Sequence, residues 1–148
     1  MSLEVALPVV IPFLFGSLSI VLYRSHAAQR WLGVVGTGVL FVAAMVLLYN
    51  TYTAPDRMLT IALGDWRAPF GIVLVADLLS AVMTLMAALM GFAVAIYSLA
   101  TISSDHERFG YYPLMHLLLA GVCGAFLTGD IFNLYVWIEV LLVASFAL

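Results

Sequence analysis

The stretch Thr128-Gly-Asp-Ile-Phe-Asn-Leu-Tyr-Val-Trp-Ile-Glu-Val-Leu-Leu-Val-Ala-Ser-Phe-Ala-Leu148 decides the fold class. After Asp130 it runs for 18 residues with one charge, Glu139. A bilayer core of about 30 Å is crossed by roughly 20 predominantly apolar residues in a helix. Gly129-Asp130 reads as a tight turn, and Asp130 as the N-cap of the helix that follows. The stretch is a membrane-helix candidate that starts near residue 130 and is still running at Leu148.

The same pattern repeats upstream. Val5 to Tyr23 is 19 residues without a charge, Trp31 to Pro55 is 25, Leu78 to Ser104 is 27 and Phe109 to Gly129 is 21. These gaps predict an all-α membrane protein forming a single transmembrane domain over 1–148. Its helices are expected at about 4–23, 31–52, 70–100, 111–128 and 130–148. The last ends inside a helix with no anchor after it, which predicts the front part of a longer polypeptide or pairing with a second chain. Composition agrees with a bilayer protein: 66% of the 148 residues are apolar and 9% charged, and the mean hydropathy is +1.18. Average soluble domains carry about 25% charged residues. A soluble globular enzyme and a disordered chain are therefore excluded. Five Arg, no Lys and a net charge of −3 leave no basic face for nucleic acid. The lone Cys123 makes no intrachain disulfide and reads as a small packing residue.

The acidic start Met1-Ser2-Leu3-Glu4 is unlike a signal peptide. The first basic residues, Arg24 and Arg30, follow the first apolar run. This puts the first loop inside and the N-terminus outside. Arg108 then lies inside, with Arg57 and Arg67 outside. The short loop from Arg24 to Arg30 makes spans one and two antiparallel neighbours. Loop 51–70 contains Ala54-Pro55-Asp56, Met58 to Leu63 and Gly64-Asp65-Trp66, which predicts a short extended or hairpin segment at the outer surface. Trp66, Tyr49 and Tyr52 suit an interfacial aromatic belt.

Ionisable groups at mid-bilayer cost about 2.5 to 3.5 kcal/mol on insertion scales, so the few present are functional candidates. Glu139 lies nine residues after Asp130, which is about 13 Å at the rise of an α-helix. It must face protein or water, carry a proton, or pair with a cation. Desolvation favours the protonated form of any carboxyl and a nearby cation the ionised form, so such a group can bind and release a proton as its partner moves. The arginines all fall in predicted loops, so a cationic partner for Glu139 comes from outside this sequence. The alternative is a protonated glutamic acid bonded to a neighbouring helix. Tyr135, four residues earlier, shares the face of Glu139. It either donates to a polar path or sits at the interface. Asn133 points elsewhere and is expected to bond a neighbouring helix. Asp77 opens span three as a solvated or capping group, or lines a polar inlet if the helix begins at Phe70. His116, one turn into span four, is a possible proton carrier by its chemistry, or an interfacial histidine bonded to a carbonyl. Gly121, Gly124 and Ala125 make a small-residue packing face. Met83, Met86 and Met90 read as packing or lipid-facing residues. No nucleotide, haem, zinc or iron–sulfur motif is present in the sequence, so no cofactor or metal is expected.

The stretch from Thr128 to Leu148 resembles the fifth helix of the antiporter-like subunits shared by respiratory complex I and the Mrp-type multisubunit Na⁺/H⁺ antiporters. The segment Gly64-Asp-Trp-Arg-Ala-Pro-Phe-Gly-Ile-Val-Leu-Val-Ala-Asp-Leu-Leu-Ser-Ala81, taken with Gly129 to Leu134, is similar to the D-type subunit of the Mrp antiporters. The resemblance implies that Glu139 is the central proton-carrying glutamate, paired in the family with a lysine of the seventh helix. It implies a subunit of about fourteen helices with inverted five-helix repeats beginning at the fourth. This chain would supply helices one to four and most of the fifth, without the later lysines. The expected function is proton translocation within a multisubunit monovalent cation/proton antiporter in a bacterial or archaeal cell membrane. Other antiporter subunits, the remainder of its own subunit, the lipid bilayer, H⁺ and Na⁺ or another monovalent cation are the expected partners. The competing expectations are a proton-pumping subunit of complex I and a structural subunit that moves no ions. A membrane enzyme ranks below both.

Overall fold

The computed structural model describes residues 3–63, 71–103, 107 and 109–148. A 3₁₀ turn, Leu3–Val5, leads into α1 (Leu7–Val21) and α2 (His26–Thr53). Two strands follow, β1 (Met58–Ala62) and β2 (Val73–Asp77), and then α3 (Leu78–Thr101), α4 (Tyr111–Leu127) and α5 (Ile131–Ala147). The fold is mainly helical. At 28 and 24 residues, α2 and α3 are long and apolar enough to cross a membrane. Among the described residues the other three helices are apolar but shorter, at 15 to 17 residues.

Two boundaries differ from expectation. Helix α2 starts at His26 rather than near 31, because Ser25 is its cap and accepts from the Ala28 amide at 3.4 Å. The first loop therefore shrinks to Leu22–Ser25, and Arg30, expected in a loop, is helical. Helix α3 starts at Leu78 rather than near 70. The preceding Val-Leu-Val-Ala alternates in the strand manner, burying Leu74 and Ala76 on one face. The hairpin is correspondingly displaced: only β1 falls within 51–70. β1 pairs antiparallel with β2, with Met58 opposite Asp77 and Ala62 opposite Val73. Trp66 and the Gly64–Trp66 part of the loop lie outside the described residues, as do Arg67 and Arg108. Tyr49 and Tyr52 are exposed at the end of α2.

The hairpin closes one end of the bundle. The Gly129 amide donates to the Val73 carbonyl at 2.8 Å, and Leu74 forms a bridge with Thr128. The 3₁₀ turn packs on both strands and on α2. Val5, Ile61, Leu74, Ala76 and Leu127 join the main apolar core at this end. Helix α4 is the centre of the packing, touching α1, α2, α3 and α5. Its first turn is opened by Gly110, whose φ of 89° is a left-handed conformation that suits glycine. The expected small-residue face operates between α4 and α5. A Cβ at Gly121 would meet the backbone of Leu141, and one at Gly124 would run into the Trp137 indole. Cys123 is buried in the same core, and Met83, Met86 and Met90 are exposed along α3.

Candidate functional site

Helix α5 is built to hold one face against α4 and leave the other open. Asp130 caps it, accepting from the Phe132 amide at 2.8 Å and the Asn133 amide at 3.4 Å. Asn133 is buried and donates through its side-chain amide to the Thr128 hydroxyl at 2.9 Å. Its bond thus closes the turn between α4 and α5 rather than reaching across to a separate helix, because Thr128 is the residue that ends α4. Asn133, Trp137, Leu141 and Ala144 follow the spacing of one helical stripe, and three of them mark the seam with α4 or its end. Trp137 packs on Gly124 and against the Phe13 ring of α1, with ring centroids 6.2 Å apart.

Glu139 is two residues past Trp137, about 200° around the helix. It therefore projects on the side opposite the seam and is exposed in this chain. Tyr135, one turn earlier, is also exposed and interacts electrostatically with it. Phe132, Val143 and Phe146 complete an exposed apolar surface around the pair. Among the described residues no cation lies within ion-pair distance of Glu139.

The other candidates are elsewhere. Asp77 caps α3 in a reciprocal box: its carboxylate accepts from the Ser80 amide at 2.7 Å, and the Asp77 amide donates to the Ser80 hydroxyl at 2.9 Å. These bonds hold the carboxyl below its ordinary value of 3.8. His116 is fully buried where α1, α2 and α4 meet, with its ring 6.0 Å from that of Phe15. Glycines make this possible: a Cβ at Gly36 would lie 2.7 Å from the His116 ring, and one at Gly16 would lie 3.3 Å from its Cβ. Among the described residues no hydrogen bond or ion pair joins Glu139 to Asp77 or to His116. Nor do the described residues bring together three His, Cys, Asp or Glu able to hold a metal.

A polar cluster absent from the sequence reading lies at the bundle end away from the hairpin. Glu107 is 1% exposed. It accepts from Arg30 Nε at 2.6 Å and from the Tyr112 hydroxyl at 3.5 Å, and His26 Nδ1 is 3.6 Å from its other oxygen. Arg30 follows His26 by one helical turn, so both reach the same side of α2. That spacing becomes a signal only once α2 begins at His26.

No family model matches the chain. The D-type subunit of the Na⁺/H⁺ antiporter of Alkalihalophilus pseudofirmus is 45% identical over 97% of this chain. That of Bacillus subtilis is 39% identical, again over 97%. The chain is a homologue of the D-type antiporter subunits. It spans 29% of the length of each of these two curated relatives. Among solved structures, a chain of the Mrp complex from Dietzia superposes with a TM-score of 0.86 at 27% identity, covering all of this chain and 27% of the other. A chain of the membrane-bound sulfane sulfur reductase, an archaeal respiratory membrane complex, gives 0.90 at 27% identity, covering 97% of this chain and 29% of that one. The D-type homologue is accordingly a membrane protein with relatives in multisubunit complexes.

Proposed function

We propose that this chain forms five membrane-crossing helices of a proton-translocating subunit in a multisubunit monovalent cation/proton antiporter, with Glu139 as the proton carrier. The observation that carries the reading is the placement of Glu139. A carboxyl on an otherwise apolar, outward face of α5 cannot stay ionised against lipid. It needs a partner from the remainder of the subunit, and a lysine of that remainder supplies one. Attraction between unit charges at about 4 Å is near 4 kcal/mol at an effective dielectric of 20, which is about a thousandfold in proton affinity. Approach of the ammonium expels the proton from Glu139, and its withdrawal lets the carboxyl take one up again. Tyr135 orients the carboxyl from one turn away. Asp130 and Asn133 fix the start of the helix that carries it. His116 is the second-rank proton-accepting position, on the α4 side, while Asp77 acts as the cap of α3. The protein carries out transport, not covalent chemistry, and resides in the cell membrane with its N-terminus outside.

The test uses the complete complex in everted membrane vesicles. Na⁺-dependent dissipation of a pH gradient is compared for wild type and Glu139→Gln at matched assembly. Loss of exchange in an assembled variant is expected. Unchanged exchange would leave Glu139 as a packing residue and this chain as a scaffold. The fit to the sulfane sulfur reductase chain, at a TM-score of 0.90, favours a second reading as a proton-moving subunit of a respiratory complex. Redox cofactors co-purifying with the complex would select it.

A further inference from the structure

The cluster around Glu107 opens onto a cleft that the proton path does not use. A cavity of about 590 Å³ lies between the start of α2 and the end of α3, bounded by His26, Ala27, Arg30, Trp31, Val34, Leu99 and Glu107. Sites of roughly 300 to 1,000 Å³ hold small organic ligands. We propose that this cleft binds an anionic phospholipid, its phosphate held by Arg30 and His26 and one acyl chain laid along Val34 and Leu99.

Charge and shape both select that occupant. Arg30 gives its Nε–H to the buried Glu107 at 2.6 Å, yet the side chain is 43% exposed. A guanidinium has five N–H donors, so the bond to Glu107 fixes the group while leaving others for a phosphate. Arg is suited to phosphate by that fork geometry. His26 is 46% exposed at the same edge, and with Nδ1 toward Glu107 the protonated ring has its Nε2–H for the phosphate. Glu107 also lines the cleft, but at 1% exposure its carboxylate is engaged by Arg30, Tyr112 and His26. Arg24, exposed two residues before His26, adds positive charge to this end. The rest of the wall is apolar, so a free phosphate would leave Ala27, Val34 and Leu99 facing water. Trp31 is 71% exposed at the rim, where a tryptophan marks headgroup depth. Basic pockets between membrane helices are general sites for anionic headgroups.

The inference rests on the membrane reading but not on proton carriage by Glu139. The complete complex is reconstituted with phosphatidylglycerol bearing a diazirine in one acyl chain, photolysed, and its adducts mapped by mass spectrometry. Adducts are expected on the segments containing Val34 and Leu99. They should exceed those from the matching phosphatidylcholine by roughly fivefold, the factor one basic residue contributes near a lipid surface. Millimolar inorganic phosphate should leave them unchanged. The double variant Arg30→Gln/Glu107→Gln removes both charges together and should lower labelling by a similar factor. Leu99→Trp fills the cleft, keeps the ion pair and should abolish it. Glu139→Gln should label as wild type even if exchange is lost. Equal labelling by both lipids would reduce the site to bulk lipid. Competition by inorganic phosphate would make it an anion site without a chain groove. Labelling unaffected in both cleft variants would overturn the proposal outright.

Discussion

Glu139 and Glu107 are carboxylates that the chain treats in opposite ways. Glu107 is enclosed and satisfied by Arg30, Tyr112 and His26, an arrangement that ties α2 to the start of α4. Glu139 is presented outward, and among the described residues Tyr135 is the polar group that interacts with it. Sequence spacing is enough to find Glu139, because one charge in an 18-residue apolar run stands out. Glu107 stays hidden, because its partners Arg30 and His26 are 77 and 81 positions away in sequence and only the packing joins them. Asp77 gives a residue-level prediction. Its carboxyl is held below 3.8 by bonds from Ser80. A depressed value means that the cap's stabilisation is fully present above the unfolded pKa and is lost as pH falls through the lower folded one. At neutral pH Asp77→Ala should cost about 1 kcal/mol at the start of α3, and Asp77→Asn much less. Amide exchange at Ser80 checks this. On acidification the protection of wild type should fall toward that of the Ala variant, while the Asn variant keeps its own. A pH-independent difference between wild type and Asn would contradict the capping account.

At the scale of elements, the hairpin is the part that least resembles a membrane helix bundle. A lone two-stranded hairpin is marginal in water, so β1 and β2 must draw their stability from what they cover. Leu74, 1% exposed, is the anchor: it sits in the main core and also bridges to Thr128. Leu74→Ala should therefore cost roughly 2 to 5 kcal/mol through the cavity it leaves. The loss should be local, with faster amide exchange over 58–62 and 73–77 and little change in the middle of α2. Uniform loss of protection across the helices would instead make the hairpin part of the global folding unit. This element also marks where sequence reading stops. Helices are legible from charge-free runs, since a bilayer demands length and apolarity and little else. Val73 to Ala76 is as apolar as the helix after it, so composition cannot separate strand from helix there. The distinction comes from Asp77, whose capping box restarts the chain as a helix, and from the Val73 carbonyl accepting from Gly129. His116 escapes sequence reading for a related reason. Its depth along the helix is readable, but its burial depends on Gly16 and Gly36 of two other helices giving it room.

At the scale of the molecule, the two ends differ in chemistry, which predicts how the bundle should sit. One end carries the hairpin, the Thr128–Asp130 turn and the C-terminus of α2. The other carries Arg24, His26, Arg30 and Glu107, with an amphipathic cleft between α2 and α3. Positive charge close to helix ends is retained on the cytoplasmic side, and an anionic lipid held at Arg30 would reinforce the same choice. In the proposed orientation Asp130 would start α5 at the outer surface, and Glu139 would lie about 13 Å deeper at a rise of 1.5 Å per residue. Single cysteines in the complete complex, with Cys123 replaced by Ala, test the arrangement. Cys123 is buried and small, so Ala fills most of its space. Asp56→Cys, in the turn before β1, should react in intact cells with a membrane-impermeant maleimide. Arg24→Cys should react only after the membrane is opened, and the pattern should reverse in everted vesicles. The opposite result would put the hairpin inside and Glu139's helix entering from the cytoplasm. Glu139 would then lie about 13 Å from the cytoplasmic end of its helix, and the path for its proton along α5 would lead to that face.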